Sequence, residues 1–199
     1  MLGAICARPA WRGLCIATRA LTAQPRSPIL PRAPRPDTMT PSRIEIRPLA
    51  EPDYAAWRPL WDGYNAFYGR EGATALPDAI TQATWARFLA PDEPVHALVA
   101  VEGTALVGLV HYLFHRSTTR LQDVCYLQDL FTAPSHRGQR IGRRLIEAVY
   151  ADARTAGSSR VYWQTQVGNA PGRALYDQVA VHAGFIVYAH ELAATSGQG

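Results

Sequence analysis

The twenty residues from Leu127 to Ile146 constrain this chain more than any others: LQDLFTAPSHRGQRIGRRLI. An apolar, β-rich run ends at Leu130-Phe131-Thr132, passes Pro134 and a glycine-containing turn, and a helical pattern follows at once. Ile141, Leu145, Ala148 and Val149 fall at i, i+4, i+7 and i+8, one face of a helix. A strand that feeds directly into a helix is half of a βαβ unit. The first backbone N–H groups of such a helix have no partners within it, and with the helix dipole they form a site for phosphate oxygens. Gly138 and Gly142 let a pyrophosphate approach the backbone. Arg137, Arg140 and Arg143 add positive charge beside it. The spacing is neither GxGxxG nor a P-loop, so neither of those nucleotide folds is supported.

The elements before this segment read as a run of strands with two helices inserted. Arg43 to Arg47 alternates at period two, as a half-buried strand does, and Pro48 limits it. Asp53 is placed to cap a helix over 54–68, in which Trp57, Leu60, Trp61, Tyr64 and Phe67 approximate helical spacing. A second helix is expected over 78–89, stopped by Pro91 and Pro94. Residues 95–101 and 104–115, around Glu102-Gly103, predict a hairpin, and 124–131 a further strand. The long helix is expected over 137–156, with Gly157 closing it. A strand at 161–165, a helix over 169–183 and a last strand starting at Phe185–Tyr188 complete the order β-α-α-β-β-β-α-β-α-β. The expected class is α/β with a mixed sheet, mostly antiparallel, carrying a βαβ half.

Composition bounds the function. A chain of 199 residues suits one domain plus tails, and 48% apolar residues suffice for a core. No apolar run is long enough to cross a bilayer as a helix, and a cytoplasmic protein without membrane partners is expected. All 20 basic residues are arginine. Seven of them lie in residues 1–43 with one acid, Asp37; the other 13 face 15 acids, so the folded part is near neutral and nucleic acid is not an implied partner. Residues 1–41, with five prolines between 25 and 36, are read as an extension: a transit peptide, or sequence upstream of a true start at Met39. The domain is set at 42–192, with 193–199 as a tail. Three cysteines, Cys6, Cys15 and Cys125, make no disulfide framework, and no metal-ligand spacing is present, so no metal is expected. His111 and His115 sit in a strand-like run, where lone histidines are usually structural.

Two further parts complete a candidate site. The backbone of Leu130-Phe131-Thr132 can pair with an extended ligand as another strand would, and the amides of a pantetheine arm suit that role. Asn169-Ala170-Pro171-Gly172-Arg173-Ala174-Leu175-Tyr176 sets Tyr176 two turns into a helix, where a phenol can protonate a leaving thiolate. On these residues the chain resembles the GCN5-related N-acetyltransferase superfamily over about 43–190. It is most similar to the branch of polyamine and yeast histone/polyamine acetyltransferases. The family's Q/R-x-x-G-x-G/A signature stands here as Arg137-Gly138-Gln139-Arg140-Ile141-Gly142, with Arg140 in place of the central glycine. The second signature matches at Asn169, Arg173-Ala174-Leu175-Tyr176 and Gly184-Phe185, with a longer gap before the glycine.

The resemblance implies acetyl-CoA as co-substrate, no metal, and direct transfer to a primary amine: a small amine, a polyamine or a lysine-like acceptor. It implies cofactor contacts from Leu130, Phe131, Thr132, Arg137, Gly138, Gln139, Arg140, Ile141, Gly142, Arg143 and Asn169, with Tyr176 as the acid. Gln128 stands where polyamine-type relatives carry an acid, and Gln cannot accept a proton at neutral pH. Asp129 is the neighbouring candidate base, although alternation turns it to the other sheet face. Trp61, Tyr64, Tyr68 and Gln128 are candidate acceptor-site residues, the rings being suited to a cationic amine. Two alternatives stay open: a non-catalytic acyl-CoA sensor on the same fold, and a homodimer, since dimers are common in the superfamily.

Overall fold

A computed structural model describes residues 44–192. The extension at 1–41, the start of the first strand and the tail at 193–199 lie outside the described residues. The elements are β1 (Glu45–Pro48), α1 (Tyr54–Phe67), α2 (Asp78–Leu89), β2 (Val95–Glu102), β3 (Ala105–His115), β4 (Val124–Thr132), α3 (Ile141–Thr155), β5 (Val161–Tyr162) and α4 (Ala170–Val179). The strands form one sheet in the order β1-β2-β3-β4-β5. The first three pairings are antiparallel, and β4–β5 is parallel across the α3 crossover.

Each face of the sheet has its own core. On one face Ile141, Leu145, Ile146 and Val149 of α3 pack on Leu98, Val110 and Leu127. Four apolar residues one helical stripe wide are what the i, i+4 spacing prescribes. On the other face Trp57, Leu60, Trp61 and Tyr64 of α1 cover Val99 and Leu109, with Trp85 and Phe88 of α2 packed against them. Gly108 lets α3 lie close to the sheet: a Cβ there would meet the Phe131 carbonyl at 3.0 Å, Ile141 at 3.1 Å and Leu145 at 3.2 Å. Cys125 is fully buried in the α3 core, and burial pushes its thiol up to about 12, which makes it inert.

Five local expectations are corrected, one of them the end of α4, which stops at Val179 where 183 was expected. Asp53 does not cap α1; its carboxylate takes two bonds from Arg47, at 2.6 and 2.8 Å, and one from the Ala50 N–H at 2.8 Å. The helix expected from Arg137 begins at Ile141, after a 3-10 turn at Pro134–His136. Gly138 and Arg140 have φ of 79° and 63°, which a right-handed helix cannot include. The strand expected at 161–165 keeps only Val161–Tyr162, because the chain then leaves β4. The last strand at Phe185–Tyr188 does not form: residues 180–192 carry no regular element, and Phe185 is 81% exposed. A strand there would pair on the outer edge of β5, and two residues offer too short a ladder.

Candidate active site

The site grows from a break in the sheet. β5 pairs with β4 only at Cys125–Val161 and Tyr126–Tyr162. Past that point β4 keeps β3 as its partner and its other edge opens onto a cleft of about 760 Å³. At the same point β4 is bulged: His111 opposes Asp129 and the next residue, Tyr112, opposes Leu127, so Gln128 is the extra residue. The bulge resets the alternation. Leu127 and Leu130 both belong to the α3 face, and Asp129 and Phe131 turn toward α1. Asp129 therefore does not point where simple alternation puts it; it is buried beneath α1, and Gln128 is exposed at the cleft.

One end of the cleft is the start of α3. The first N–H bonded within the helix is that of Arg144, to the Arg140 carbonyl at 3.1 Å. Those of Ile141, Gly142 and Arg143 have no helical partner, and all three residues line the cleft with Gly138, Arg137 and Arg140. Arg140 takes a left-handed conformation, which a glycine would adopt without strain. An arginine there costs about 1–2 kcal/mol and keeps the turn. The glycines have separate reasons. Gly138 stands in open space and serves its positive φ, whereas a Cβ on Gly142 would meet Leu175 of α4 at 3.1 Å. Arg143 is tied to Gln178 of α4 at 2.6 Å, and the Arg137 guanidinium lies over the Phe131 ring. Gln139 is exposed and does not line the cleft.

The middle is walled by Leu130, Phe131 and Thr132 on the β4 side and by α4 on the other. Asn169 caps α4: its carbonyl accepts from the Gly172 N–H at 3.1 Å and its amide donates to Thr165 Oγ1 at 3.0 Å. Tyr176 follows two turns later, against the Trp163 ring. Burial, with a smaller contribution from Tyr68, pushes its phenol up to about 12, so it holds its proton at any ordinary pH.

The other end is aromatic. Tyr64 and Phe67 of α1, and Tyr68 just after it, line it together with Gln128. Trp61 does not; it is 6% exposed, stacked between Trp57 and Tyr64, and its indole N–H is taken by Thr81 at 3.2 Å. Burial, with a smaller contribution from the negative charge of Asp129, raises the Tyr64 phenol far above the ordinary range. Sequence reasoning missed His111, whose Nδ1 lies 2.9 Å from Asp129 and whose Nε2 lies 3.1 Å from the Trp57 indole nitrogen. Its partners are 18 and 54 residues away in the chain, and no local pattern carries such a pairing.

Residues 57–180 match the model of the acetyltransferase (GNAT) family. The chain belongs to that family. It is 32% identical over 155 residues to a D-amino-acid N-acetyltransferase, HPA3, of Saccharomyces cerevisiae, covering 77% of this chain and 94% of that protein. It is 29% identical over 147 residues to an uncharacterized N-acetyltransferase, YhfO, of Bacillus subtilis, covering 73% and 95%. Among solved structures, the aminoglycoside acetyltransferase AAC(6')-Iy in complex with a CoA-containing bisubstrate analog superposes with a TM-score of 0.65 at 17% identity, over 75% of this chain and all of that one. The fold is that of these GNAT acetyltransferases, and the chain is an acyltransferase of the same family.

Proposed function

We propose that this acetyltransferase binds acetyl-CoA in the cleft and passes the acetyl group directly to the amine of a small amino-acid-like acceptor. One observation carries the reading: unpartnered helix N–H groups, an open strand edge and a protonated phenol line a single cleft. These three features suit the diphosphate, the pantetheine amides and the departing sulfur of the co-substrate. The N–H groups of residues 141–143, with Arg137 and Arg140, hold the diphosphate. The free edge of residues 130–132 pairs with the pantetheine arm and polarises the thioester carbonyl. The neutral amine attacks that carbon, the C–S bond breaks, and Tyr176 protonates the departing sulfur.

The acceptor class follows from charge. No Asp or Glu lines the cleft among the described residues. A polyamine, which needs carboxylates for its remote ammonium groups, finds none on these walls. Arg70 lies over the Tyr64 and Tyr68 rings with its Nε bonded to Asn65, and it has no carboxylate partner among the described residues. Arg70 is not itself a lining residue of the cleft, but beside two rings that are, its remaining guanidinium N–H groups suit the carboxylate of an amino acid. The yeast relative, named for D-amino acids, supports the same choice.

The test is release of free CoA thiol from acetyl-CoA with D- and L-amino acids, polyamines and aminoglycosides in parallel. Turnover with amino acids, and a Tyr176→Phe variant that loses about 100-fold in kcat without losing CoA affinity, is expected. Preference for spermidine would overturn the acceptor assignment, and tight CoA binding with no thiol release would favour a sensor.

A further inference from the structure

Of the three β4 residues on the free edge, one sends its side chain to the acceptor side. Leu130 packs against the α3 core, and Thr132 Oγ1 faces Gly142 at the start of α3. Phe131 turns the other way, against the ring-rich core beneath α1, and still lines the cleft. Its ring meets α1 end-on at Gly63: a Cβ there would lie 2.9 Å from Phe131 Cζ and 3.1 Å from Cε1. Gly63 has no conformational reason to be glycine, since it sits in mid-helix without a positive φ. Glycine weakens a helix interior relative to alanine, so the position is explained by the room it leaves. Phe67, four residues on and on the same stripe of α1, lines the cleft, and so does Tyr64. Gly63 does not, because the Phe131 ring covers it. The ring thus bridges β4 and α1, with its base on the strand that carries the free edge and its tip against helix backbone. It cannot retreat toward α1, where that backbone is already in contact, and the Arg137 guanidinium lies over it at 5.9 Å from the centroid.

Resting on the acetyl-transfer reading, we infer that the Phe131 ring, seated on Gly63, is the stop that limits the transferred acyl group to acetyl. In that reading the thioester carbonyl is polarised at the edge of residues 130–132. The carbon chain beyond the carbonyl then extends beside the one side chain of that edge on the acceptor side. A two-carbon group ends before the ring. Each further methylene has to enter the volume that the ring fills, and the ring has no space behind it. Gly63 is a positioning residue: it touches no substrate, and its missing side chain sets how far the ring stands back from the cleft. Without the ring, the cleft would extend to the α1 backbone at Gly63.

The experiment measures thiol release from acetyl-, propionyl-, butyryl- and hexanoyl-CoA with one accepted amine, and the affinity for free CoA by calorimetry. In the wild type, kcat/KM is expected to fall about 10-fold or more on the first added methylene. Phe131→Ala should bring propionyl- and butyryl-CoA within about threefold of acetyl-CoA. Phe131→Leu, which keeps an apolar side chain and removes the ring tip, should move the ratio in the same direction by less, and it serves if the alanine variant does not fold. Gly63→Ala pushes the ring into the cleft, so the preference for acetyl should steepen; a role in the helix alone would leave the ratio where it was. Combining Gly63→Ala with Phe131→Ala should give the ratio of Phe131→Ala, because the alanine at 63 then has no ring to displace. A wild type that uses butyryl-CoA as well as acetyl-CoA overturns the inference, as do folded Phe131 variants that keep the wild-type ratio. A loss of free-CoA affinity as large as the change in ratio also overturns it, by assigning the ring to the pantetheine arm. A wild type that releases no thiol from any of these acyl-CoA molecules with any amine overturns the acetyl-transfer reading instead.

Discussion

The two faces of the sheet are built on different physics. Against α3 the buried contacts are mostly aliphatic: Ile141, Leu145, Ile146 and Val149 lie on Leu98, Val110 and Leu127, and one directed bond joins them, from the Tyr112 hydroxyl to Asp152 at 2.6 Å. Against α1 and α2 the core is rich in rings, and the buried Asn65, Thr81, His111 and Asp129 belong to that half. Dispersion and burial reward volume, and many side chains supply the same volume. A buried donor or acceptor needs one partner in one place. Packing volume therefore dominates the α3 face, and directed pairing is concentrated on the α1 face.

Substitutions can break or sharpen this contrast. The largest loss of stability is expected from Leu145→Ala, about 2–5 kcal/mol by chemical unfolding, with kcat per folded molecule unchanged because nothing directional is lost. The comparison is sharpened by two swaps that preserve shape. Thr81→Val leaves the Trp61 N–H without its partner and should cost about 1–3 kcal/mol. Leu145→Met on the other face should cost less than about 1.5 kcal/mol. If the methionine swap proves the more damaging, the division between the faces is wrong. Arg140→Gly should stabilise the fold by up to about 1–2 kcal/mol by relieving the left-handed arginine, while weakening CoA binding through the lost charge. A further effect is alkaline. The Tyr176 phenol loses its proton near 10 when unfolded and near 12 when folded. Its contribution is whole below pH 10 and is lost as pH rises through 12. The melting temperature of the wild type should accordingly fall more across that interval than that of Tyr176→Phe.

What the sequence discloses divides along the same line. α2 matches its expected bounds, 78–89, and α1 ends one residue earlier than expected, since periodicity and proline stops act over a few residues. The turn into α3 was legible as a phosphate-type helix start, but the left-handed Arg140 was not, because nothing local demands an arginine there. The family and its strand-turn-helix followed from residues 127–146 and 169–176. The bulge at Gln128 was hidden: Cys125, Leu127 and Asp129 continue an apparently even alternation, and only the pairing with β3 shows the extra residue. His111 and Trp57 meet across 54 positions, which tertiary packing alone decides. The last strand failed for the opposite reason, since Phe185–Tyr188 has the right residues and β5 offers too little to pair with.

The unpaired Gln128 has a bearing on how this gene can tolerate change. Its side chain is dispensable for the register, but its presence is not, for a peptide unit is being counted there. Loss of that one codon would restore regular pleating and exchange the aspect of every β4 residue on one side of it, setting a carboxylate among aliphatics and a leucine among rings. Missense drift at the position should therefore be mild, and an in-frame deletion of a single residue severe.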